Sequence, residues 1–233
     1  MTRCELSDFD IKDIKPKAAE NFRSIKPEND KTIKELNAEI KDEFRKASND
    51  YFSEGRDLKN DEKEAIKDKL GWPDDKFGKC KIDEDGIIKI KTDRCDLEGK
   101  TAENGVPYEK RIVDINGVKI EGVFPKFESH FDTYLSPENY KSNAYANECN
   151  EKLKIEINNN PELRSKFTED QLKDIEEGKT PRGYVWHHNE ELGKMQLVKR
   201  EDHDRTIGGA PHTGGNSLWG PDSVDKSRKG ESF

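Results

Sequence analysis

An α+β fold is predicted from three observations: apolar residues that step by three and four in the first third, two runs joined at turn dipeptides in the middle, and a strand–turn–strand–helix pattern around residues 183–206. Residues 1–96 read as a charged, helical N-terminal region. Ile33, Leu36, Ile40, Phe44 and Ala47 draw one apolar stripe, which predicts a helix over about 30–49. A shorter helix is predicted from Asp61 to Leu70, with Gly71 as its stop. Their charge-rich outer faces read as solvated scaffold. The period then changes. Lys81-Ile82, Asp85-Gly86 and Ile87 to Ile90 predict a hairpin, and Arg111 to Ile115, Asn116-Gly117 and Val118 to Phe124 a clearer one, because Asn-Gly favours the two-residue turn. Ser136-Pro137 opens a helical stretch that runs, with a break, towards Ile157. Thr168 and Gln171 form a capping box over Glu169 to Glu177, and Gly178 ends that helix. Gly208 to Gly220 reads as loop, and 221–233 as a polar tail.

Composition narrows the function classes. The 233 residues are 39% charged and 30% hydrophobic, with a net charge of −8. This borders on the composition of disordered chains, but the regular apolar spacing predicts a folded protein with a thin core. No apolar run is long enough to span a bilayer, and no signal-peptide pattern opens the chain. Cys4, Cys80, Cys95 and Cys149 are scattered without a C-x-x-C pair, so buried thiols are expected rather than a zinc knuckle or a disulfide framework. Charge is uneven: residues 101–178 carry −6, whereas residues 179–233 carry +1. Four of the five histidines (His187, His188, His203, His212) fall in that least acidic stretch, which places the expected chemistry there.

The stretch from Gly183 to Val198 reads as a strand, a turn through Glu190 to Gly193, and a second strand, followed by a helical segment with His203 on its second turn. Adjacent strand residues face opposite ways, so His187 and His188 suit two jobs rather than one. One imidazole holds a metal ion, approached by His203 from the helix, while its neighbour faces an attacking water. These are the parts of a metal-assisted phosphodiester hydrolase. Trp186, Met195, Leu197 and Val198 are expected to be core packing. Lys194, Lys199, Arg200 and Arg205 cluster beside the histidines as candidate phosphate contacts.

Trp186-His187-His188, Gly193 to Val198 and His212-Thr213-Gly214-Gly215 together resemble the HNH, or ββα-metal, endonucleases, in particular the endonuclease VII-like branch marked by Trp-His-His. The resemblance extends upstream through Leu97 to Lys100, Gly105-Val106-Pro107 and Phe124 to Phe127, so residues 97–220 are expected to form the nuclease domain, with its ββα-metal core at about 183–206. It implies metal ligation by His187 and His203 and a general-base role for His188. Asn189 or Gln196 would orient that base, and the spacing does not choose between them. His212 would be a third ligand or a contact to the scissile phosphate. The ion would be divalent: zinc, nickel, manganese or magnesium. The structural four-cysteine zinc of some relatives is not expected. This branch occurs largely as toxin domains of secreted bacterial effectors, which implies DNA as substrate, delivery into a target-cell cytoplasm, and a cognate immunity protein as partner. No membrane partner is expected. RNA cleavage by the same fold, or a non-catalytic module with a structural metal, are the competing readings.

Overall fold

A computed structural model of the chain describes residues 54–224, with helical positions at 35, 36, 38–43 and 46. Of the stripe expected on the first helix, Leu36 and Ile40 are helical and half-buried; Ile33, Phe44 and Ala47 lie outside the described residues, as do Cys4 and the tail beyond 224. From residue 54 onward the chain has an α+β architecture.

Helix α1 (Asn60–Leu70) forms where Glu62 folds back onto the Lys59 amide at 2.7 Å, with Asp61 and Glu62 in its first turn and Lys67 and Lys69 in its last. That charge order complements the helix dipole, and the helix buries Ile66 and Leu70. Strands β1 (Cys80–Ile82) and β2 (Ile88–Ile90) make the first expected hairpin. Strands β3 (Tyr108–Ile115) and β4 (Val118–Pro125) make the second. Asn116 (φ 52°) and Gly117 (φ 73°) both take positive φ at their turn, the conformation whose twist matches paired strands. The four strands form one sheet in the order β1-β2-β4-β3, in which β2 runs parallel to β4 through Ile88 and Ile120. This sheet therefore draws strands from both sides of residue 96.

A second sheet, order β5-β7-β6, is antiparallel throughout. It comprises β5 (Ser129–Tyr134), β6 (Tyr184–His188) and β7 (Lys194–Lys199). The β6–β7 pair matches the expected strand–turn–strand, whereas β5 was not anticipated. Between β5 and β6 the chain makes a 3₁₀ turn at Pro137–Asn139, then α2 (Tyr145–Asn159), α3 (Pro161–Arg164) and α4 (Glu169–Glu176). Both hydrogen bonds of the Thr168–Gln171 capping box are made. Glu148 of α2 accepts from the Ser136 amide and hydroxyl, Asn139 Nδ2 and Lys152 Nζ, all at 2.6–2.8 Å, which ties the helix to the end of β5. Burial alone would raise its pKa, but these donors outweigh it and hold the carboxyl at about 2. After β7 come α5 (Arg200–His203) and α6 (Gly215–Leu218).

The second sheet is packed on both faces. Trp186, Met195 and Leu197 join the larger core with Ile66, Ile120 and Leu153. Val198 joins a smaller one with Tyr108, Val123, Phe127 and Ala210. Cys80, Cys95 and Cys149 are buried. Among the described residues no helix is long and apolar enough to cross a membrane.

Candidate metal centre and active site

Alternation along β6 sends its two histidines to opposite faces of the sheet. The His187 ring packs against Phe127 at 4.9 Å on the side of the smaller core. His188 is flanked by Tyr145 at 4.3 Å and Trp219 at 5.2 Å on the side of the larger one. Both nevertheless line one cavity of about 510 Å³, because β6 ends there.

His203 from α5 and His212 from the following loop complete a cluster around His187. One nitrogen from each lies within 4.8 Å of the other two, and His187 Nδ1 is 3.2 Å from His203 Nε2. Phe127 backs all three rings, at 4.9–5.4 Å between centroids. His212 Nδ1 lies 2.8 Å from the carbonyl oxygen of Ala210, which can only accept; Nδ1 therefore carries the proton and Nε2 keeps its lone pair. Burial is the main cause that lowers all four imidazole pKa values: His187 falls well below the ordinary range, with further lowering from the neighbouring histidines. His203 and His188 fall to about 4, and His212 is lowered too. At neutral pH the cluster is a set of uncharged nitrogen donors, the form a metal ion requires. His187 Nε2 and His188 Nε2 are buried without a hydrogen-bond partner. Converging lone pairs on neutral imidazoles, one of them oriented by a backbone carbonyl, fit a divalent ion.

The loop that delivers His212 is held by sequence far upstream. The Tyr108 hydroxyl donates to the Pro211 carbonyl. The Asp93 amide donates to Thr213 Oγ1 at 2.9 Å, and Trp72 Nε1 to the Leu218 carbonyl at 2.7 Å. The glycines after Thr213 are needed for space. A Cβ on Gly214 would sit 2.9 Å from His187 Cε1 and from the His188 carbonyl, and one on Gly215 would overlap the Asn189 carbonyl and the Trp219 ring.

Asn189 and Gln196 bond to each other, Nδ2 to Oε1 at 2.9 Å. Asn189 also accepts from the Glu191 amide, and Gln196 donates to Asp132, so the pair braces the β6–β7 turn. In the same turn Glu190, 1% exposed, accepts from Arg111 of β3 and links the two sheets. Trp186 is core, with its Nε1 donating to Asn150 at 2.8 Å. Lys199, Arg200 and Arg205 do not line the cavity; Lys199 lies 3.9 Å from Glu201, and Arg200 lies 3.3 Å from Asp204. The lysines on the cavity wall are instead Lys76, Lys79 and Lys91. Neither these lysines nor the packing roles of Phe127 and Tyr145 were anticipated. Phe127 stood within a recognised motif, whereas the lysines carried no signal in a lysine-rich region.

Residues 116–214 match the family of the DNase/tRNase domain of colicin-like bacteriocin. No curated protein and no solved structure matches the chain. The matched segment spans β4, β5, β6, β7 and the three clustered histidines, and it supports a nuclease toxin domain.

Proposed function

We propose that this chain is a metal-dependent endonuclease of the HNH type that hydrolyses DNA phosphodiester bonds as an interbacterial toxin. The observation that carries the reading is the convergence of His187, His203 and His212 beside His188 in a single cavity. On this reading the three clustered imidazoles hold a divalent ion, and nitrogen donors suit zinc or nickel better than manganese or magnesium. The position of His212 within the cluster supports a ligand role for it over a phosphate contact. When bound, the ion supplies electrostatic stabilisation of the phosphate oxygens and the leaving group. His188, neutral at pH 7 and clamped between Tyr145 and Trp219, takes the proton of the attacking water. Asn189 and Gln196 position it by fixing the end of β6. Delivery as an effector into a target cell, and neutralisation by a cognate immunity protein, belong to the same proposal and are supported by the bacteriocin-domain match.

Nicking of supercoiled plasmid by the full chain, across zinc, nickel, manganese and magnesium, is the test, with a structured RNA as control. Metal-dependent nicking is expected, together with loss of metal affinity in His187→Ala and His203→Ala by calorimetric titration. Cleavage of RNA alone would replace the DNA assignment, and inertness on both polymers would reject the enzyme. Expression should be toxic in a bacterial cytoplasm and relieved by the neighbouring reading frame; harmless expression of a chain active in the nicking assay would reject the toxin role.

A further inference from the structure

The cavity lining has two parts of different origin. The histidine wall comes from β6, α5 and the loop after it, whereas a second part of the lining comes from Pro73 to Asp93, outside the family match at 116–214. Three lysines belong to that second part: Lys76 and Lys79 in the 3₁₀ turn over Asp74–Lys79, and Lys91 just after β2. The chain has 50 acidic residues against 42 basic ones, so carboxylates are abundant. Lys67, Lys81, Lys89, Lys110, Lys126 and Lys152 each lie within 3.0 Å of one. Among the described residues Lys76 and Lys79 make no ion pair. Lys76 lies over the Trp72 ring at 4.6 Å, and burial without a counter-ion lowers its pKa to about 8. A cation kept at a cavity wall, in an acid-rich chain and with no carboxylate against it, is matched to an anion from outside the fold.

We propose that Lys76 and Lys79 grip the phosphodiester backbone of the DNA substrate, so that a segment beyond the family match forms part of the cleft. This rests on the nuclease reading above. Asp75, Asp93 and Asp222 share the lining, and Asp222 accepts from Asn216 at 2.8 Å. The wall is thus a set of separate cations rather than a continuous basic surface, and it grips individual phosphates. These contacts carry no base sequence; they set where the strand lies relative to His188.

Fluorescence anisotropy of a labelled DNA duplex, titrated over a range of salt concentrations, tests the wall. The protein is the full chain carrying His188→Ala, which on the reading above binds without cutting. Each lysine that neutralises a phosphate contributes about 0.9 to the slope of log affinity against log salt. Lys76→Gln and Lys79→Gln should each flatten the slope by about one unit, and the double variant by about two. Lys126→Gln, whose lysine pairs with Glu109 outside the cavity, should leave it unchanged. Lys79 is exposed, so Lys79→Gln tests the proposal without threatening the fold. An unchanged slope in Lys79→Gln and in the double variant overturns the wall while leaving the nuclease standing. If the wild-type chain neither binds nor nicks DNA, the nuclease reading fails and takes the wall with it.

Discussion

Gly214→Ala probes the proposed metal centre without replacing any of the three clustered histidines. The added methyl would lie 2.9 Å from both His187 Cε1 and the His188 carbonyl, and 3.5 Å from His212 Cδ2. The carbonyl belongs to β6, paired to β7 along its length, and cannot give way cheaply. The His187 ring is 2% exposed and held against Phe127, so it cannot retreat either. The relief available is for the loop from Pro211 to Gly214 to move outward and take His212 with it. Overpacking of this kind costs about 1–3 kcal/mol. If the cost is met by withdrawing His212, it appears in metal binding, where about 1.4 kcal/mol is a factor of ten. Metal affinity should therefore fall by about tenfold to a hundredfold, with plasmid nicking at limiting metal falling in parallel and the circular dichroism spectrum unchanged. Competition titration with a chromogenic chelator measures the affinity. Gly78→Ala, where a Cβ meets nothing within 4 Å, is the matched control. Wild-type affinity in Gly214→Ala would refute the close packing of the loop against His187 and, with it, the argument that glycine is required there.

Three further outcomes are expected. His188→Ala should lower the cleavage rate by about two to four orders of magnitude while metal titration stays at the wild-type value; cleavage at the normal rate would remove His188 from the chemistry. Tyr108→Phe, which deletes the hydroxyl bonded to Pro211, should cost about 1 kcal/mol of stability and weaken metal binding more than DNA binding. Equal metal affinity in that variant would show that other contacts fix the His212 loop. Glu148→Gln should destabilise the protein by about 1–3 kcal/mol at pH 7, since its donors lose a charged acceptor. The folded pKa of about 2 lies below the ordinary 4.5, so the carboxylate's contribution is present above pH 4.5 and is lost as pH falls towards 2. Denaturant melts of the two proteins should accordingly converge across that interval, and a gap that persists at its acid end would contradict the assignment.

What could be read from the sequence was whatever is specified locally. Gly71, Asn116-Gly117 and the Thr168–Gln171 pair each act within one turn, and the elements they bound appear where expected. The histidine strand and helix were legible for the same reason, and the resemblance grouped residues that the fold brings within bonding reach. Strand β5 was not legible. Its sequence, Ser129 to Tyr134, has no turn signal of its own and is interrupted by a bulge; it is a strand because β7 offers an edge to pair with. The second part of the cavity lining escaped for a related reason. Nothing near Lys76 or Lys79 distinguishes them from the surface lysines around them, and long-range pairing, of β2 with β4 and of Trp72 and Asp93 with the chain around 213–218, carries that segment to the histidines.

On the proposed function, that pairing ties activity to the chain's long-range order. The bond from Asp93 to Thr213 spans 120 residues, and that from Trp72 to Leu218 spans 146. Contacts so distant in sequence are slow to form, because the entropy of closing so long a loop must be met before the contact rewards it. The pairing of β6 with β7 is local, whereas the anchors of the His212 region depend on these distant bonds. On the proposed function, cleavage waits on these contacts, so its onset after dilution from denaturant should follow refolding.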